Sequence, residues 1–331
     1  MNMTEKSKIW SSHYIPPSKK MWEGRKDSDK PERFHQSVKL FDLNKDKTFP
    51  TSDKIIALLG FQSDEGIKRN YGRAGAYDGP DAIRKALANL PFISKQPLIV
   101  VDVGNIHCND GNLEESQKQL GFVVAELHKY GATPLLLGGG HEIAWGHFQG
   151  ISKTYSNDTI AIVNFDAHYD LRPISQKGKG NSGTSFTQIA TDLKNRKLLF
   201  HYYCFGIQKT GNTKSLLDAA DEFNVKTIFA ENFFFDSDSA PRTLLEEILN
   251  NHSHVYITVC MDVFSAAYAP GVSAPQPLGL TPWQIIPLLR IAAGCGKIIG
   301  VDFAELSPPL DYDGRTAKLT ASLISEVIAN F

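Results

Sequence analysis

The sequence predicts one α/β domain built on a doubly wound, mostly parallel sheet of eight strands, with helices on both faces. Two observations carry this expectation. Short apolar runs recur from Lys54 onward, at lengths that suit strands rather than helices, and amphipathic segments separate most of them. No linker-like composition interrupts the series after residue 50, so an N-terminal extension is drawn at 1–50 and the domain at 51–331.

Taken in order, residues 1–50 are polar and irregular, with Pro16 and Pro17 adjacent and charges scattered through 19–47. Packing on the main domain, packing on a neighbouring subunit and partial disorder are all open for this stretch. The strand-like runs are 54–60, 98–103, 133–137, 159–165, 198–205, 225–230, 255–261 and 297–303. The amphipathic segments are 80–89, 113–130, 142–153, 215–223, 241–250 and 281–293, and a helix over 316–330 closes the chain. Pro80 and Pro282 suit first helical positions, and Thr281 can cap the helix it precedes.

Composition narrows the class. The 331 residues are 42% hydrophobic and 21% charged with a formal net charge of -1, which fits a globular protein. Nothing favours nucleic acid or an anionic membrane as partner. Cys108, Cys204, Cys260 and Cys295 are widely spaced and form no CxxC pair. The first residues lack the apolar core of a secretory signal, and Arg290 and Lys297 break the longest late apolar tract, so a cytoplasmic protein is expected.

Chemistry-bearing residues gather at strand ends. The run 159–165 ends in Asp166, Ala167, His168, Tyr169 and Asp170. Residues two apart on an extended chain share a side, so Asp166 and His168 can face one point, with Asp170 joining from the loop. Carboxylates and an imidazole suit a divalent ion such as manganese, and a polar loop with a stray histidine is the plainer reading. His141 follows the glycines 138–140, which allow a tight turn, and a helix-capping histidine is its alternative. Cys260 and Asp262 repeat the two-residue spacing, although a buried core thiol is the commonest role for a free cysteine. Glu305, before Ser307-Pro308-Pro309, can pair with a cationic amidine or lie as a surface glutamate. Asp102 is assigned a structural role, bonding loop amides.

Together, GGGHE at 138–142, DAHYD at 166–170, the CMD strand with APGVSAP at 269–275, and AEL-SPP at 304–309 resemble, in that order, the ureohydrolase family of arginase, agmatinase and formimidoylglutamase. The resemblance runs from about Lys54 to the C-terminus and includes NYGRAGA at 70–76, Gly79-Pro80 and Ile83-Arg84. GGGHE, NYGRAGA, APGVSAP with PLGL, and NSGTSF at 181–186 look most like formimidoylglutamases. The resemblance implies an arginase-like fold and two Mn2+ ions per subunit. Its metal ligands would be His141, Asp166, His168, Asp170 and Asp262, with Asp166 bridging. Cys260 stands where the family carries the first aspartate of a D-x-D pair, a bridging ligand, which leaves full occupancy open.

The reaction implied is hydrolysis of N-formimidoyl-L-glutamate to L-glutamate and formamide by a metal-activated hydroxide, a step of histidine breakdown. Glu305 would hold the amidinium and Asp170 would relay a proton. Arg73, Ser182 and Thr184 are the candidates for gripping the glutamate end. The partner is a small-molecule amidine, with a homo-oligomer possible. The alternatives are agmatinase, arginase or guanidinobutyrase activity, or a metal-poor, redox-regulated or inactive member because of Cys260.

Overall fold

The computed structural model describes residues 12–176, 178–235 and 239–331. Among these, β1 (Tyr14–Ile15) and β2 (Lys39–Leu40) come from the N-terminal stretch. The longer strands are β3 (Ile55–Gln62), β4 (Ile99–His107), β5 (Thr133–Leu137), β6 (Ile160–Phe165), β7 (His201–Ile207), β8 (Lys226–Phe229), β9 (His254–Cys260) and β10 (Ile298–Ala304). These follow the expected apolar runs to within a few residues. They form one sheet in the order β1-β4-β3-β5-β10-β9-β6-β7-β8, with β2 also on the β4 edge. Every pairing is parallel except β1 with β4.

Eight helices of nine or more residues cover the two faces: α1 (Gly79–Ala88), α2 (Leu113–Lys129), α3 (Ile143–Thr154), α4 (Ser185–Asn195), α5 (Lys214–Glu222), α6 (Ser239–Asn251), α7 (Pro282–Ala293) and α8 (Arg315–Asn330). Alternation along β3 sorts the core. Ile56 and Leu58 pack with Ile83 of α1, Leu289 of α7 and Leu323 of α8, while Ala57 and Leu59 pack with Val123 of α2, Phe148 of α3 and Ile189 of α4. The apolar runs read as continuous because both faces are covered. Helix α4 was not anticipated, although Phe186, Ile189, Ala190 and Leu193 carry its buried stripe at helical spacing. At α7, Thr281 N donates to Gln284 Oε1 at 2.8 Å, which anchors the expected start.

The described part of the N-terminal stretch packs on the chain's own domain. Trp22 Nε1 donates to Asp102 Oδ2 at 2.8 Å, and Phe49 stacks on Tyr130 with ring centres 4.7 Å apart. Asp102 was expected to bond loop amides, but the amide it accepts from is Gly104 N within β4, at 3.0 Å. Its larger role is a buried fork with Arg84, whose Nε and Nη2 donate to the two carboxylate oxygens at 3.0 and 2.8 Å. No helix among the described residues is long and apolar enough to cross a membrane.

His128, near the end of α2, meets Tyr155 edge to face at 5.3 Å. Burial, and secondarily His147, push its pKa down to about 4 from an ordinary value of 6.5. Above pH 6.5 the ring is neutral folded or unfolded and contributes nothing to the pH dependence. Below it the unfolded chain takes the proton first, so stability falls until the folded pKa is reached. This group alone removes about 2 kcal/mol at pH 5. His128→Phe keeps the ring contact and should flatten the acid limb by that amount. Urea unfolding at pH 7.5 and pH 5 checks it; an unchanged difference between the two pH values would refute the assignment.

Candidate metal centre

The strands β5, β10, β9 and β6 lie side by side at the middle of the sheet, and their C-terminal ends carry the residues singled out above. The chain passes from β5 through α3 directly to β6, yet β10 and β9 are inserted between them. That inserted pair opens a crevice at the strand ends, where open α/β sheets bind ligands. Close approach explains the glycines before His141. A Cβ at Gly138 would sit 2.2 Å from Phe303 O, and one at Gly139 would sit 2.4 Å from Ser63 O. The turn is held by Glu142, whose Oε1 accepts from Ser63 Oγ and Gly66 N, each at 2.9 Å. Burial pushes the Glu142 carboxyl up to about 7.

The ligand candidates converge. His141 Nδ1 lies 2.9 Å from Asp166 Oδ2 and 3.0 Å from Asp170 Oδ2, and His168 Nδ1 lies 3.1 Å from Asp262 Oδ2. Donor atoms of His141, Asp166 and Cys260 fall within 4.8 Å of one another, as do those of Asp166, His168 and Asp262. Asp166 belongs to both groups, the placement a residue bridging two ions requires. Its Oδ1 accepts from His168 N at 2.7 Å, fixing the carboxylate at the strand end. Glu305 Oε1 accepts from His141 N at 2.8 Å. Asp170 and Glu305 both take left-handed backbone conformations, with φ of 49° and 72°, uncommon outside glycine. Such strain persists only where the surroundings fix it, and here it turns both carboxyl groups to a common cavity.

The electrostatics favour a cation. Burial raises the Glu305 and Asp262 carboxyls, with neighbouring carboxylates adding to it. Burial opposes charge on His168, but Asp262 and Asp166 outweigh it and push its pKa up to about 12. Burial likewise opposes charge on His141, and Asp166 with Asp170 hold it well above its ordinary range. The buried Asp262 Oδ1 makes no hydrogen bond. Carboxylate oxygens, imidazole nitrogens and one sulfur, gathered within 4.8 Å in two groups that share Asp166, fit divalent ions, which would displace the histidines' extra protons. Cys260 is buried in the cavity lining, and burial followed by Asp166, Asp262 and Glu305 push its thiol well up. The protein's own groups therefore oppose thiolate, and only a bound cation can reverse that.

The cavity holds about 300 Å³ and is also lined by Arg73 and Ser182. Arg73 Nε and Nη2 are engaged by Ser273 O and Val272 O at 2.9 and 2.7 Å, so much of its donor capacity is spent on the wall. Ser182 Oγ accepts from Asn70 Nδ2 at 3.2 Å. Thr184 does not line the cavity. Its Oγ1 accepts from Asn181 N at 2.8 Å and faces Asn181 O and Gln188 Oε1, which makes it part of the turn entering α4. Arg172 was missed. It lines the cavity with an exposed side chain, and among the described residues no carboxylate pairs with its guanidinium. Its place two residues beyond Asp170 was the signal available.

A family model described as the arginase family matches residues 54–329. A formimidoylglutamase of Legionella pneumophila (strain Lens) is 46% identical over 317 residues, covering 96% of this chain and 98% of the relative. One of Clostridium tetani (strain Massachusetts / E88) is 40% identical over 324 residues, covering 96% of each. The crystal structure of formimidoylglutamase from Bacillus subtilis subsp. subtilis str. 168 superposes with a TM-score of 0.79 at 23% identity, over 93% of this chain and 94% of that one. That of Trypanosoma cruzi formiminoglutamase with Mn2+ gives 0.75 at 24% identity, over 84% and 93%. These two structures establish the common fold.

Because Asp166 is shared by both donor groups, Asp166→Asn should abolish manganese uptake, whereas Cys260→Asp should raise the ions retained per chain. Atomic absorption after dialysis of the reduced protein checks both. Retention by Asp166→Asn equal to the parent's would rule out bridging.

Proposed function

The chain belongs to the arginase family, and on that footing we propose that it hydrolyses N-formimidoyl-L-glutamate to L-glutamate and formamide. The name shared by its relatives supports the substrate. The observation that carries the reading is the content of one cavity: the carboxylate and imidazole cluster, Glu305, and the uncommitted guanidinium of Arg172 line the same space. An amidine joined to a dicarboxylate asks for that combination.

We assign two manganese ions to His141, Asp166, His168, Asp170, Cys260 and Asp262. Divalent ions, when bound, supply the positive charge that acidifies water and makes hydroxide available near neutral pH. The chain's own residues do the rest. Glu305 accepts charge-assisted hydrogen bonds from the amidinium and turns the formimidoyl carbon toward the cluster. A cationic partner also restores the ionised form that burial disfavours in Glu305. Water adds to the formimidoyl carbon, and the bond from that carbon to the glutamate nitrogen breaks. Asp170, set at the cavity by its left-handed backbone, takes the proton released by water and returns it to the departing nitrogen. Arg172 pairs with a substrate carboxylate, with Ser182 and Asn70 adding neutral hydrogen bonds.

Incubation with N-formimidoyl-L-glutamate, L-arginine and agmatine in parallel tests the substrate. Formamide release from the first alone is expected; urea from either of the others at a greater rate overturns the assignment. Glu305→Gln should lower kcat on the order of a hundredfold or more, since such a contact is worth about 2–4 kcal/mol in the transition state. Arg172→Ala should instead act mainly through KM, because a carboxylate far from the reacting carbon is gripped equally before and during reaction. A kcat for Glu305→Gln within twofold of the parent would return Glu305 to a purely structural role.

A further inference from the structure

Beneath the candidate centre lies a buried carboxylate that the reaction above does not use. Asp302 on β10 and Thr258 on β9 are register partners on adjacent strands. Asp302, Thr258, Tyr256, His147 and His141 are all within 1% of complete burial. Asp302 Oδ2 accepts from Tyr256 OH at 2.6 Å and from His147 Nδ1 at 2.7 Å, and its Oδ1 accepts from Thr258 Oγ1 at 2.5 Å. The Thr258 oxygen in turn lies 2.8 Å from His141 Nε2.

Hydrogen count fixes the direction of this chain. A carboxylate only accepts, so the single hydroxyl hydrogen of Thr258 is committed to Asp302. Thr258 then has only lone pairs left for His141, so Nε2 must carry hydrogen and donate. Without a cation, Asp166 and Asp170 favour a second proton on Nδ1, the atom that faces them; a cation that displaces it leaves the hydrogen on Nε2 and Nδ1 bare. The opposite tautomer would place hydrogen on Nδ1, where Asp166 would accept it and a cation would be shut out.

We propose that Asp302 is a positioning residue for the metal centre: through Thr258 it holds His141 in the tautomer that presents Nδ1 to a cation. The inference rests on the metal assignment above and is independent of the substrate. Partners one step behind a ligating histidine typically contribute about 10–100-fold in metal affinity.

The test is the manganese dissociation constant of metal-stripped protein, followed through the spin-resonance signal of free Mn2+. Thr258→Val keeps the shape of the side chain and removes the hydroxyl; it should weaken binding about 10–100-fold, while Thr258→Ser should stay near the parent. Asp302→Asn should also weaken binding, because Thr258 is then free to donate to Nε2. The double variant should bind about as Thr258→Val does, since Asp302 reaches His141 only through the hydroxyl. A carboxylate that merely braces the core would instead give losses that multiply. Parent-like affinity in Thr258→Val, or multiplied losses in the double variant, overturns the inference while leaving the metal assignment intact. A parent that takes up no manganese overturns both. Should Asp302→Asn fail to fold, the Thr258→Val and Thr258→Ser pair decides.

Discussion

The constraint on which this architecture depends is repulsion among buried carboxylates. Asp166, Asp262 and Glu305 are nearly or fully buried in one cavity lining, with Asp170 beside them. Two like charges about 4 Å apart at an effective dielectric of about 20 cost about 4 kcal/mol. Among the described residues, His141 and His168 offset that cost by ion pairing, and both are driven toward the charged form by it. A site of this kind lowers its energy by taking up positive charge, whether protons, metal ions or a cationic substrate. Glu305 raised by burial and the elevated His141 and His168 are expressions of one deficit.

Holding such groups together requires a frame that does not yield. The central position of β5, β10, β9 and β6 supplies it, because each is hydrogen-bonded on both sides within the sheet. Backbone amides then fix the anions: His141 N holds Glu305, and His168 N holds Asp166. The left-handed conformations of Asp170 and Glu305 are a local cost that the surrounding close packing sustains, as in the approach of Gly138 to Phe303. Strain and repulsion sit at the mouth of the sheet, while the apolar cores on both faces carry the stability.

Much of this was legible in the sequence, for physical reasons. Strands buried on both faces read as unbroken apolar runs, so β3 through β10 could be found with bounds wrong by only a few residues. The two-residue spacing of Asp166 with His168, and of Cys260 with Asp262, pointed to shared sites, although β6 ends before Asp166 and Asp262 sits in the 3-10 turn 261–263, so extended-chain alternation is not what aligns them. Sheet order was not legible, since placing β10 and β9 between β5 and β6 is a decision of tertiary packing. Contacts made across that order were therefore hidden. Asp302 in the run 297–303 gave no sign of meeting Thr258, and only its place two residues beyond Asp170 hinted that Arg172 faces the cavity. Thr184 failed for a different reason: its hydroxyl looked available, but the turn into α4 consumes it.

Cys260 becomes intelligible within the same balance of charge. Placed among Asp166, Asp262 and Glu305, its thiol is pushed well above its ordinary range and stays neutral in the protein without cations. An aspartate there would add another anion to the crowd, and the metal-free chain would bear a further repulsion of a few kcal/mol. The thiol removes that cost, and as a proposed ligand it would become negative only when a cation is present to stabilise thiolate. Deprotonation must then accompany uptake, and it weakens apparent affinity at the position where Cys260 serves. Cysteine at this position exchanges strength of metal binding for tolerance of the empty site, a trade that follows from the field of the neighbouring carboxylates alone.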